Sequence, residues 1–165
     1  MPNEATRPLL SAQDPSPFEV INEFSDHPLL LVCEHAGNTI PQALDGLGIA
    51  EKDRDSHVWW DIGAEAVTRI MAEVLGAPAV IQPYSRLVID CNRPPNAIDA
   101  IPAVNHGVQV PGNRGLSAAA RTSRVTEIFD PFQSTVAHYL GRQPRRIVLS
   151  IHSFTPFLAG KSRPW

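Results

Sequence analysis

The sequence has only two cysteines, Cys33 and Cys91, in 165 residues. Two are too few for a disulfide framework or a cysteine zinc site. It has no excess of positive charge: 14 Lys and Arg stand against 17 Asp and Glu, a formal net charge of −3. A mildly acidic chain is a poor fit to nucleic acid or to an anionic membrane surface. No apolar run approaches the roughly 20 residues needed to cross a bilayer. The opening Met-Pro-Asn-Glu-Ala-Thr-Arg-Pro lacks a basic start followed by an apolar block, so it does not read as a secretory signal. A cytoplasmic location is the expectation. Several catalytic signatures are also missing. There is no GxSxG elbow, no GxxxxGK[ST] loop, no GxGxxG and no HExxH.

Apolar residues, by contrast, make up 43% of the chain and charged residues 19%. That balance excludes a disordered polypeptide and suits one core of ordinary size. The chain is also rich in proline, with 16, and carries 6 histidines. Frequent proline means many loops of fixed shape, and sites are usually built on such loops. Residues 1–17 hold four of the prolines, show little periodicity and are expected to form a loose arm, with one domain over 18–165.

Leu29-Leu30-Leu31-Val32-Cys33 reads as a strand buried on both faces, as in a parallel sheet. Ala79-Val80-Ile81, Arg86-Leu87-Val88-Ile89-Asp90 and Arg146-Ile147-Val148-Leu149-Ser150-Ile151 read as three more strands. Between them, apolar residues at 58, 62, 66, 67, 70, 71, 74 and 75 recur at helical spacing until Gly76. Ser117 can cap a long helix, and Pro131 within it predicts a kink or two helices in tandem. Strands alternating with helices give an α/β fold with a mainly parallel or mixed sheet. Ligands bind outside the carboxyl ends of the strands in such sheets.

The three expected strand ends carry the densest polar chemistry: Glu34-His35, Asp90-Cys91-Asn92-Arg93 and His152-Ser153. His35 and His152 follow apolar strands directly, and neutral imidazole suits zinc and other divalent ions. The plain reading of either histidine alone is an ordinary hydrogen-bonded loop residue. Two at equivalent strand ends make a metal pair an even competitor. A catalytic zinc takes about three protein ligands and leaves one position open. The third is expected to be a carboxylate: Glu34, Asp61 or Asp90. Asp61 is equally readable as a first-turn acid complementing a helix dipole, and Asp90 as a partner of Arg86 or Arg93. Arginine's planar fork grips carboxylates, so Arg86, Asn92 and Arg93 suit a carboxylate-bearing substrate or structural ion pairs with Asp90 and Asp99. A metal-free hydrolase built on Ser153 and His152 is a weaker reading, because Ser153 lacks the strained small-residue turn of a serine nucleophile. His57 is readable as a cap or a site residue. His106 and His138 have no supporting neighbours in the sequence.

Four segments together resemble the N-formylglutamate amidohydrolase family: Cys33-Glu34-His35-Ala36-Gly37-Asn38-Thr39-Ile40-Pro41, Trp60-Asp61-Ile62-Gly63-Ala64, Tyr84-Ser85-Arg86-Leu87-Val88-Ile89-Asp90-Cys91-Asn92-Arg93-Pro94 and Ile151-His152-Ser153-Phe154-Thr155-Pro156. The resemblance runs from about residue 28 to Trp165. It implies a fold like that of zinc carboxypeptidases and aspartoacylases. It also implies zinc-dependent hydrolysis of N-formyl-L-glutamate to formate and glutamate, a late step of histidine breakdown. By position, His35, Asp61 and His152 are the implied ligands of Zn²⁺ or another divalent metal. Asn38 stands where zinc carboxypeptidases carry a ligand glutamate, which moves the carboxylate role to Asp61. Arg86 is the implied polariser of the scissile carbonyl. Asn92 and Arg93 are the implied clamp on the substrate carboxylate, with Ser153 beside them, and Glu34 is left as the candidate general base.

Only thirteen residues follow His152, none of them acidic, whereas relatives continue further. The C-terminal part of the family fold is therefore expected to be lacking. A shortened, non-catalytic relative that binds a metal and a carboxylate ligand is the second reading. The expected partner is a small N-acyl amino acid. Homo-oligomer formation is an open option.

Overall fold

The computed structural model describes residues 8–53, 57–142, 147–158 and 161–163. Its central sheet has the order β1-β3-β2-β6, built from Glu19–Ile21 (β1), Leu29–Cys33 (β2), Ala79–Ile81 (β3) and Ile147–Ser150 (β6). β2 pairs in parallel with β3 and β6, and β1 closes the other edge antiparallel to β3, so the sheet is mixed. Parallel neighbours in register bring their carboxyl ends to one side: Cys33 lies opposite Ile81, and Val32 opposite Ser150. Two short hairpins complete the strands, Val104–Asn105 (β4) with Val108–Gln109 (β5), and Phe157–Leu158 (β7) with Lys161–Ser162 (β8).

β2 is apolar throughout because both of its faces are covered. Leu30 and Val32 join Val80, Ile128, Phe132 and Tyr139 in the main core. Leu31 packs with Ala72, Ala77 and Ala79 on the opposite face, under helix α1 (Ala64–Leu75). α1 begins at Ala64, six residues after the expected start at Val58. Val58 and Trp59 are buried in a turn-rich approach and join the main core without being helical. The helix meets the sheet through Ala64, Thr68 and Ala72, spaced by four, while Ile70 and Val74 face outward.

The expected strand Arg86–Asp90 is not one. It is a turn, with Val88 N–H donating to Ser85 O at 2.9 Å and Asp90 N–H to Ala100 O at 2.8 Å. Leu87, Val88 and Ile89 are fully buried in the main core, so the apolar run reflects packing and not a ladder. The buried Arg124 of helix α2 (Ala118–Arg124) holds this turn: its Nη1 donates to Val88 O at 2.9 Å and to Asn113 Oδ1 at 2.6 Å. Burial lowers the Arg124 pKa to about 10.

Ser117 caps α2 as expected, accepting from Ala120 N–H. A π-helical turn, Val125–Phe129, joins α2 to α3 (Asp130–Gly141). Pro131 lies in the first turn of α3, directly after the π-helical turn, so the expected tandem of helices meets there.

Residues 8–17, expected as part of a loose arm, are docked. Leu9 N–H and Leu10 N–H each donate to a carboxylate oxygen of Glu127 at 2.9 Å, and Leu9 enters the main core. Tyr84 Oη donates to Pro15 O at 2.6 Å. Aperiodic sequence does not prevent docking when a side chain supplies the acceptors. Residues 1–7, and Arg146 of the fourth expected strand, lie outside the described residues. Among the described residues, no helix is long and apolar enough to cross a membrane.

Candidate metal centre

His35 follows β2 and His152 follows β6, so the parallel register delivers both histidines to one end of the sheet. Their rings lie 5.1 Å apart, centroid to centroid. Asp61 arrives from the approach to α1 and is fastened to the first of them, since Asp61 N–H donates to His35 O at 2.9 Å. One ligand atom from each of His35, Asp61 and His152 lies within 4.8 Å of the other two. His152 Nδ1 is 2.7 Å from Asp61 Oδ2, and His35 Nδ1 is 3.5 Å from the same oxygen.

The donor chemistry fits a divalent cation. His35 Nε2 lies 2.7 Å from Asp90 Oδ1. Opposing influences hold Asp90 down at about 2: burial raises its pKa, and His35 and Arg86 more than offset that, so the group is an anion that only accepts. Nε2 therefore carries the proton, and Nδ1 presents its lone pair. That Nδ1 is buried, with no hydrogen-bond partner among the described residues. An orphaned imidazole lone pair, aimed beside a carboxylate and a second imidazole, is the arrangement a metal ion satisfies. Asp61 is also held well below the usual carboxylate range. Burial raises its pKa, but the facing imidazoles of His152 and His35 and the charge of Arg86 prevail. Burial likewise depresses the His35 pKa, and Asp61 and Asp90 outweigh it, leaving His35 above its ordinary value.

The other expected residues gather around this centre. Arg86 bridges the two buried acids, Nη1 to Asp61 Oδ1 at 3.3 Å and Nη2 to Asp90 Oδ2 at 3.0 Å. Arg93 pairs with Asp99 at 2.8 Å and approaches Asp90 at 3.5 Å. Asn92 N–H donates to Asp90 Oδ1, and its amide lies 3.4 Å from His152 Nε2. Arg86, Asn92, Arg93 and Ser153 line a cavity of about 610 Å³ that also receives His35, Asp61 and His152. Glu34 is not among the lining residues. Its Oε2 accepts from Ser150 Oγ at 2.7 Å and stands 3.7 Å from His152 Nε2.

Asp90 thus positions His35, where the sequence left it open as a third ligand or as an ion-pair partner of Arg86 or Arg93. Two further histidines were not brought together by spacing. His57 and His106 line the same cavity, with ring centroids 6.1 Å apart. His106 sits at the tip of the β4–β5 hairpin with φ of 46°, in the left-handed region. Asn105 Nδ2 ties the hairpin to Val58 O at 3.2 Å. Burial and then the charges of His57, Arg86 and Arg163 lower the His106 pKa. The Asn105-His106-Gly107 turn was the available signal, since Asn and Gly mark hairpin tips.

The family model described as N-formylglutamate amidohydrolase matches residues 27–164. The chain belongs to the N-formylglutamate amidohydrolase family. No match is found among curated proteins. Among solved structures, the chain is similar to "The crystal structure of gene product Atu2144 from Agrobacterium tumefaciens", with a TM-score of 0.90 and 38% identity. The match covers 94% of this chain and 63% of that one, so the chain spans less than two thirds of the length of the relative.

Proposed function

We propose that this amidohydrolase-family chain holds Zn²⁺ through His35, Asp61 and His152 and hydrolyses the amide bond of N-formyl-L-glutamate or a related N-acyl amino acid. The observation that carries the reading is the orphaned Nδ1 of His35, which faces Asp61 and His152 at the wall of a cavity lined by arginines. When bound, zinc supplies a low pKa for water and polarises an acyl oxygen. The remaining roles belong to the chain itself. Asp90 and Arg86 hold the two inner ligands in place. Arg86, on the cavity wall between two carboxylates, is the donor we assign to the acyl oxygen as charge develops there. Arg93 and Asn92 are assigned to the carboxylate of the amino-acid half, with Ser153 beside them. The Arg93–Asp99 pair is half-exposed on both sides. Such a pair holds weakly, so a substrate carboxylate can replace Asp99. Held at both ends, the amide sits in one orientation, which removes much of the entropic barrier. The setting we propose is cytoplasmic, late in histidine breakdown.

A second reading rests on the position of Glu34. It lies outside the cavity lining, which favours a binding protein that keeps the metal and the carboxylate clamp without turnover. One experiment separates the two. Zinc-loaded protein is given a panel of N-formyl and N-acetyl amino acids, and formate or acetate release is measured beside calorimetric binding. Release supports the hydrolase, and binding without release supports the second reading. His35→Ala and His152→Ala are each expected to lose the metal. Arg93→Ala is expected to keep it and to weaken substrate binding about 10-fold or more, the scale of a lost charge-assisted hydrogen bond. Unchanged affinity in Arg93→Ala would remove the clamp assignment.

A further inference from the structure

We propose that Ser150 and Glu34 form a positioning relay that fixes the ring of His152, as Asp90 fixes the ring of His35. The inference rests on the zinc reading above and adds the part of the site that faces away from the metal. Ser150 and His152 are alternate residues at the end of β6, and alternate residues on extended chain share a face. Ser150 Oγ lies 2.9 Å from His152 Nε2 and 2.7 Å from Glu34 Oε2. The serine hydroxyl has one proton. The carboxylate of Glu34 only accepts, so that proton goes to Glu34, and the hydroxyl oxygen is left to accept from His152 Nε2–H. His152 Nδ1 lies 2.7 Å from the Asp61 carboxylate and donates to it in the metal-free protein; a bound metal would take the place of that proton, on the side toward which the orphaned His35 Nδ1 also points, with Nε2–H still held by Ser150. The remaining neighbours of Nε2 are farther off, Asn92 Nδ2 at 3.4 Å and Glu34 Oε2 at 3.7 Å.

The two histidines are therefore oriented by different means. His35 meets a carboxylate directly, and His152 meets one through a hydroxyl. This placement assigns Glu34 to orientation of a ligand and away from the reacting atoms. It also gives β6 a functional residue two positions before the obvious histidine. Partners of this kind commonly change metal affinity by about 10- to 100-fold when removed.

The test is zinc affinity, read by competition with a chromophoric chelator, on the full chain and on Glu34→Ala, Ser150→Ala, the double variant and Ser150→Thr. Thermal melts of the metal-free proteins establish that each is folded. We expect each alanine variant to bind zinc about 10-fold or more weakly. The double variant should resemble the weaker single one, because the two residues act as a unit. Ser150→Thr keeps the hydroxyl and should stay within about threefold of the parent, on the same scale of partner effects. Parent protein that binds zinc together with folded alanine variants within about twofold of it would overturn the relay alone. Parent protein that takes up no zinc would overturn the metal reading, and the relay with it.

Discussion

Asp90 touches His35, Arg86 and Arg93 through two oxygens, and its side chain is almost fully buried. Its pKa of about 2 stands below the ordinary 3.8, so the contact contributes stability above about pH 4 that is lost as pH falls through 2. His35 has the opposite sign. Its raised pKa means stabilisation present below its ordinary 6.5 and lost as pH climbs through the folded value. In metal-free protein the contact is strongest between about pH 4 and 6.5. Asp90→Asn should therefore destabilise by roughly 2 kcal/mol in that window, with the gap narrowing toward pH 2. Urea unfolding across pH measures it, and a gap independent of pH would contradict it. The proposed ligands were legible as polar residues ending apolar runs. Asp90, Ser150 and His106 were not, because their partners lie far along the chain or across a sheet register that composition does not display.

Among the elements, the loop carrying His35 is pressed against the segment leading to Arg86. Gly37 N–H donates to Gln82 O at 3.1 Å, and a Cβ at Gly37 would fall 1.9 Å from Pro83 O. Only glycine fits that approach. Gly37→Ala should cost about 3 kcal/mol or more, visible as a lower urea midpoint. A shift under about 1 kcal/mol would show that the loops part easily. The strands β2, β3 and β6 were readable because burial on both faces demands unbroken apolar runs. The same logic misread Arg86–Asp90, where Leu87, Val88 and Ile89 are buried without strand partners. Helical spacing also extended α1 backward through Val58, since core-packed turns imitate it.

For the molecule as a whole, β6 is the outer strand of the sheet, and Ile147, Val148 and Leu149 are exposed on it at 65%, 46% and 40%. Consecutive exposed apolar residues on an edge invite pairing with another strand. Val148→Lys should lower concentration-dependent association, measured by light scattering after size exclusion. Equal association in both proteins would place the contact elsewhere.

The proposed metal ligands come from positions 35, 61 and 152, and the last of them directly follows this thinly covered strand. An ion shared by the three would act as a clasp across a chain loop of more than a hundred residues. Closing so long a loop by a single bond restricts the unfolded ensemble strongly. Release of the ion and peeling of β6 then become one equilibrium, and the sheet edge would report, through its amide exchange, whether the clasp is shut.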